Sequence, residues 1–373
     1  MTHSRKLDFS AGPVEFRLVR TLEERDNGEQ VLLFERRLRH GLPGLVVVKR
    51  LRNPESFPMR QRLKEEVSLA FRLHHPAIAQ VHHFRVIGRV PHAILEYVPG
   101  PSLDALITVA VMREEPLPVP FALYVAAELA DALHHAHTLT DQDEGGRPLG
   151  IIHRDVSPRN IRVERKTGQV KLTDFGAAYS KRVGREETPE KLLKGDLMYA
   201  SPEYLLGAPM DARSDIFSLG LVLLEALTNR HLFGFWLAQA GQPGAEAVPD
   251  MRADEEPDLP LHQMLALVKR CTPEDVARAT AMLPEELRVI LCRALQREPA
   301  ARYATAEDLC RELRVQLHAL QPGYGRTEAA RDMEDVISGA SAMRGLGEPI
   351  EGGLYPAGLD EHELPPDTEE TPR

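Results

Sequence analysis

His153-Arg154-Asp155-Val156-Ser157-Pro158-Arg159-Asn160, followed by Asp174-Phe175-Gly176, is the stretch that decides how this chain is read. A hydroxyl that attacks the γ-phosphate of a nucleotide must be held in line while a nearby base accepts its proton, and Asp155 is of the right type for that task. The carbonyl oxygen of Asn160 and the carboxylate of Asp174 suit a hard cation that bridges phosphate oxygens. Singly, such residues are ordinary turn and cap formers. Their order and separation together point to phosphoryl transfer.

Upstream, alternating apolar stretches at Phe16–Leu22, Val31–Phe34 and Leu45–Val48 predict successive strands of an antiparallel sheet, with polar segments at Glu23–Gln30 and Glu35–Gly44 between them. Val46-Val47-Val48-Lys49 puts a lysine at the end of an apolar strand. Leu63, Val67, Ala70 and Phe71 recur at helical spacing from Met59 to Leu73, where His75-Pro76 stops the run. Strands follow around Val81–Val86 and His92–Tyr97. Beyond Pro99-Gly100-Pro101, a hinge composition, amphipathic runs at Phe121–His137 and Ile216–Thr228 predict an α-rich remainder. Gln239–Pro260, rich in Gly, Pro, Asp and Glu, reads as an inserted surface loop, and the chain from Gln321 onward as a disordered acidic tail.

These motifs resemble those of the bacterial eukaryotic-type (Hanks-type) Ser/Thr protein kinases over roughly residues 14–318. The resemblance implies an α+β, bilobal protein-kinase-like fold: a small antiparallel β-sheet lobe with one helix (14–98) and a larger α-helical lobe (99–318). An N-terminal extension (1–13) and the tail (319–373) flank it. The implied cofactors are ATP and Mg²⁺. Lys49 takes the place of the lysine on the α- and β-phosphates, with Glu66 as its ion-pair partner and Glu65 as the competing choice. Asp155 stands as catalytic base, and Asn160 and Asp174 as metal ligands. Gly28, Val47, Leu95, Glu96 and Val98 fall at the nucleotide site, Leu95 as gatekeeper and Glu96-Tyr97-Val98 as hinge. Ser201-Pro202-Glu203 with Arg302, and Asp215 beneath the catalytic loop, match structural positions of the family. The implied partners are ATP and proteins that offer Ser or Thr hydroxyls in bacterial signalling. Arg154 implies control by phosphorylation, with Thr188 the first candidate acceptor and Ser180 the second.

The match departs from the family's pattern on the nucleotide-shaping surface. Of the expected Gly-x-Gly-x-x-Gly, the segment Leu22-Glu23-Glu24-Arg25-Asp26-Asn27-Gly28-Glu29 keeps Gly28 alone, and its carboxylates should repel a polyphosphate. Arg162 stands where an apolar residue floors the adenine pocket, and a desolvated guanidinium there is costly. Val47 adds bulk at the roof, Ser157 replaces a catalytic-loop lysine, and Asp196 brings a further carboxylate toward Asp155. The alternative reading is therefore a pseudokinase serving as an interaction scaffold. A small-molecule phosphotransferase is a weaker rival, against which Ser201-Pro202-Glu203 and the helix of Asp215 argue.

Bulk composition agrees with a soluble catalytic unit. The 373 residues are 43% hydrophobic and 27% charged, enough for a sizeable core. A net charge of -10 argues against a nucleic-acid surface. Cys271, Cys292 and Cys310 show neither a pairing number nor a zinc-site spacing, which points to the reducing cytoplasm. The charged start of the chain is unlike a secretory signal. The apolar segment Ile216–Leu227 is too short and too interrupted to span a bilayer.

Overall fold

The computed structural model describes residues 7–24, 28–38, 41–52, 56–141, 145–180, 196–233 and 261–344. The small lobe is built on strands β1 (Phe9–Ala11), β2 (Val14–Glu24), β3 (Glu29–Leu38), β4 (Gly44–Leu51), β5 (Val81–Ile87) and β6 (Val90–Glu96), with helix α1 (Phe57–Ala70) between β4 and β5. They form one antiparallel sheet in the order β1-β2-β3-β4-β6-β5. β-Branched and aromatic residues at Val46, Val48, Phe34 and Ile94 bury one face against Phe16. The opposite face turns Leu51 and Ala93 toward Leu63 and Val67 of α1.

Two sequence boundaries move. Residues before Val14 were expected to form an extension, yet β1 adds an edge strand because Phe9 stacks on Phe16 at 4.5 Å and meets Phe34 at 5.3 Å. The polar separator at Glu23–Gln30 also shortens, since Glu24 pairs with Gln30 across the hairpin and accepts from its Nε2 at 2.7 Å.

The large lobe opens with α2 (Leu103–Met112), capped by Ser102, whose Oγ accepts from Ala105 N at 3.2 Å. Next come α3 (Val119–Thr138), the short strands β7 (Thr140–Asp141) and β8 (Arg147–Pro148), and the hairpin of β9 (Ile161–Val163) with β10 (Val170–Leu172). Then follow α4 (Pro202–Leu205), α5 (Arg213–Thr228), α6 (Leu261–Arg270), α7 (Pro273–Ala279), α8 (Glu285–Ala294), α9 (Ala306–Leu320) and α10 (Arg326–Arg344). Helix α5 is buried from Ser214 to Thr228, and its polar side chains, Asp215 and Glu225 among them, are hydrogen-bonded there. No helix among the described residues is long and apolar enough to cross a membrane.

The disordered tail expected from Gln321 is the main correction to the fold. α10 places Ala329, Met333, Val336 and Ile337 in the core against α2 and α3. Their spacing of four, three and one is an amphipathic stripe, which the Gly, Pro and acidic residues further along obscure when the whole tail is weighed by composition. The expected insertion at Gln239–Pro260 lies outside the described residues.

Candidate active site

The sheet, α1 and the loop after β10 converge on one lysine. Lys49 ends the apolar run of β4, so its side chain passes under the sheet and reaches Glu66 Oε1 of α1 at 2.8 Å and Asp174 Oδ1 at 2.6 Å. All three side chains are less than a tenth exposed. Glu66, rather than Glu65, is the partner, because Glu65 sits on the outer face and accepts from Gln61. Burial raises the Glu66 carboxyl, Lys49 opposes that rise, and Asp174 and then Glu29 add to it. Glu29 is a buried carboxylate that sequence reading passed over, although it shares the strand face of Val31, the register partner of Lys49.

The catalytic loop is held from below by Asp215. Its carboxylate accepts from His153 N at 2.8 Å, Arg154 N at 2.9 Å and His137 Nε2 at 2.8 Å. Burial pushes this carboxyl up, but His137 and His153 together outweigh it and hold the group below its usual range. His153 meets Phe175 edge-on at 4.5 Å, which couples the loop to the Asp174-Phe175-Gly176 turn. Asp174 itself lies in the left-handed region (φ 56°), fixed there by Gly176 N donating to its Oδ1 at 2.8 Å.

Asp155 and Asn160 face the same space. Asn160 Nδ2 donates to Asp155 O at 2.9 Å, so the amide's carbonyl oxygen is the atom that could meet a cation. Asp155 Oδ1 accepts from Asp196 N at 2.9 Å. Burial raises the Asp155 carboxyl, the Asp196 N–H opposes, and Asp174 raises it further. Asn160 and Asp174 flank the β9–β10 hairpin, and Thr173 closes it by donating N–H (2.8 Å) and Oγ1–H (3.0 Å) to Asn160 O. One carboxylate, one carboxamide oxygen and substrate phosphates form a donor set that fits a divalent cation such as Mg²⁺.

At the other end of the cleft, Val47 is paired with Leu95 across β4 and β6, and both sit near the hinge with the buried Val98. The Glu96 carboxylate turns away from the cleft to Lys171 Nζ at 2.9 Å and Gln80 N at 2.9 Å. Arg162, cross-strand neighbour of Lys171, is buried and donates through Nη2 to the hinge carbonyl of Gly100. Gly28 lies where β3 begins, its carbonyl accepting from Arg52 N at 2.7 Å; Arg25–Asn27 fall outside the described residues.

Activation-segment expectations fare unevenly. Glu203 and Arg302 form a buried two-point pair at 2.7 and 2.8 Å, as the motif implied. Thr188 lies outside the described residues. Ser180 is a correction: it is buried and its Oγ donates to Leu149 O at 2.6 Å, so it is not an accessible phosphate acceptor here. Arg154 Nε is engaged with Ala177 O at 2.7 Å.

The protein kinase domain profile matches residues 39–313. This chain belongs to the protein kinase domain family. Among curated relatives it is 32% identical to the tyrosine-protein kinase MasK of Myxococcus xanthus, over 75% of this chain and 40% of that protein. It is 29% identical to the serine/threonine-protein kinase PknB of Mycobacterium leprae, over 81% of this chain and 43% of that one. The chain thus spans about two fifths of the length of these relatives. The crystal structure of the Mycobacterium tuberculosis PknI kinase domain aligns with a TM-score of 0.49 at 22% identity, over 81% of this chain and 96% of that one.

Proposed function

We propose that the chain is a bacterial Ser/Thr protein kinase that transfers the γ-phosphate of ATP to protein hydroxyls, with Mg²⁺ as its cation and the cytoplasm as its compartment. The observation that carries the reading is the buried contact of Lys49 with both Glu66 and Asp174, beside Asp155 and Asn160. Such a cluster of one cation with two carboxylates has no packing advantage over apolar residues and is understandable as a phosphate and metal seat.

In this reading Lys49 holds the α- and β-phosphates, and Glu66 fixes the ammonium in place. Asp155 orients the acceptor hydroxyl and takes its proton as the new O–P bond forms and the bond to the ADP oxygen breaks. Asn160 and Asp174 would hold Mg²⁺, which neutralises charge on the phosphate oxygens. Leu95, Val47 and Val98 supply apolar surface to the adenine, and the hinge backbone at Glu96 and Val98 its hydrogen bonds. Gly28 closes the roof over the phosphates. Three free cysteines suit a reducing compartment.

The pseudokinase alternative rested on Arg162 and the acidic roof. Arg162 has a hinge carbonyl as partner and the polar cluster is complete, both of which support the enzyme; Arg25–Asn27 of the roof lie outside the described residues. Ser/Thr preference follows the PknB relatives, whereas MasK is a tyrosine kinase by name. The test is incubation of the purified chain with γ-labelled ATP and Mg²⁺, followed by phosphoamino-acid analysis. Label on phosphoserine or phosphothreonine, lost by about 10²- to 10⁴-fold in Asp155→Asn, is the expected result. Label on phosphotyrosine alone overturns the acceptor assignment, and no label on any substrate overturns the enzyme.

A further inference from the structure

The β9–β10 hairpin carries Asn160 and Asp174 at its open end, and its closed end is gripped from two sides. On one side is the hinge. Val163 N donates to Pro101 O at 3.1 Å and Arg165 N to Pro99 O at 2.9 Å, while Arg162 reaches Gly100 O and Lys171 pairs with Glu96. The approach is so close that a Cβ on Gly100 would stand 2.0 Å from Val163 O.

On the other side is α10. A Cβ on Gly168, in the hairpin turn, would stand 2.0 Å from Arg326 O and 2.8 Å from Ala330 N. Arg165, the residue bonded to the hinge, makes a two-point pair with Glu334 of α10 at 2.8 and 2.9 Å. Tyr124 of α3 donates to Gly168 O at 3.2 Å and lies 5.9 Å from the ring of Tyr324, two residues before α10. Arg113, at the end of α2, donates to Asp335 O and Val336 O at 3.2 Å, and Gly339 leaves room for its guanidinium. The hairpin is therefore clamped between hinge and α10 through backbone contacts that tolerate no side chain at either face.

We propose that α10 is a positioning helix for the nucleotide site: by pinning Gly168 and Arg165 it fixes the spacing between hairpin and hinge, and so sets nucleotide affinity. Chemistry at the phosphates depends on the other end of the hairpin, which Thr173 and Asn160 tie independently. Loss of α10 contact thus acts on nucleotide binding far more than on turnover. The proposal rests on reading the cleft as a nucleotide site.

The test uses the full chain with Mg²⁺-ADP as calorimetric probe and ATP in steady-state assays. Glu334→Arg and Arg165→Glu each separate the pair, the double exchange restores it, and Gly168→Val cannot keep α10 in place. Each single reversal and Gly168→Val should raise the ADP Kd and the ATP KM about fivefold, with kcat within about twofold. The double exchange should recover the affinity, which a merely destabilised lobe would not do. The proposal is overturned if the reversals bind Mg²⁺-ADP with the wild-type Kd, if the double exchange recovers nothing, or if a folded Gly168→Val keeps full affinity. Should Gly168→Val not fold, the charge-exchange cycle decides alone. A wild-type chain that binds no nucleotide instead refutes the kinase reading, so the two failures are separable.

Discussion

The two ends of the cleft are built on opposite rules. At the phosphate end Lys49, Glu66, Asp155, Asn160 and Asp174 are residues whose side chains have work of one chemical kind, and all five converge. At the adenine end the residues at the expected positions are Val47, Glu96 and Arg162, and the polar ones are tied to structural partners, Glu96 to Lys171 and Arg162 to Gly100 O. The difference teaches where substitution is tolerated. Groups that meet charge must keep their type, whereas a base read by backbone N–H and C=O leaves the neighbouring side chains free to change, provided a buried charge finds a partner.

The largest effect should come from Lys49→Met. It removes the cation between two buried carboxylates, so kcat/KM should fall by about 10²- to 10³-fold and the melting temperature should drop as well. An unchanged rate would break the comparison outright.

Next is Asp196→Asn. Burial pushes the Asp196 carboxyl up to about 6 from 3.8, with Asp155 and Asp104 adding to the rise and Arg159 opposing it. A carboxyl that binds its proton more tightly when folded weakens the fold as pH climbs from the unfolded value through the folded one. The asparagine variant should thus be more stable than wild type at pH 8, by on the order of 3 kcal/mol, and converge with it below about pH 4. Urea unfolding at several pH values reads this directly, and a difference independent of pH contradicts it.

Arg162→Leu should do least. It removes a buried guanidinium together with its bond to Gly100 O, while the backbone bonds of Val163 and Arg165 to the hinge remain. Stability should change by less than about 1 kcal/mol and nucleotide Kd by less than about threefold. A tenfold change in Kd would show that the adenine end is as exacting as the phosphate end.

Much of this was legible because the sequence reports side-chain chemistry well. The strands of the small lobe and the helix carrying Glu66 followed from period, and the Glu203–Arg302 pair and the hold of Asp215 on the catalytic loop from the family resemblance. The rest depended on contacts between segments far apart in the chain. Glu29 is an unremarkable strand glutamate until the β3–β4 register puts it on the face of Val31, the partner of Lys49. The cost of Arg162 could not be judged before its hydrogen bond to Gly100 O was known. α10 was hidden by averaging: Ala329, Met333, Val336 and Ile337 form a core stripe, but the residues after Arg344 gave the whole segment the composition of a disordered tail.

Thermal unfolding with and without Mg²⁺ and ATP tests the central claim most directly. At a hundredfold excess over Kd, Mg²⁺-ATP should stabilise the chain by about 2.7 kcal/mol and lift the melting temperature by a few degrees. ATP with a chelator should do less, and Asp174→Asn should erase the Mg²⁺-dependent part. A melting curve that millimolar nucleotide leaves unmoved, with the metal present, contradicts the account.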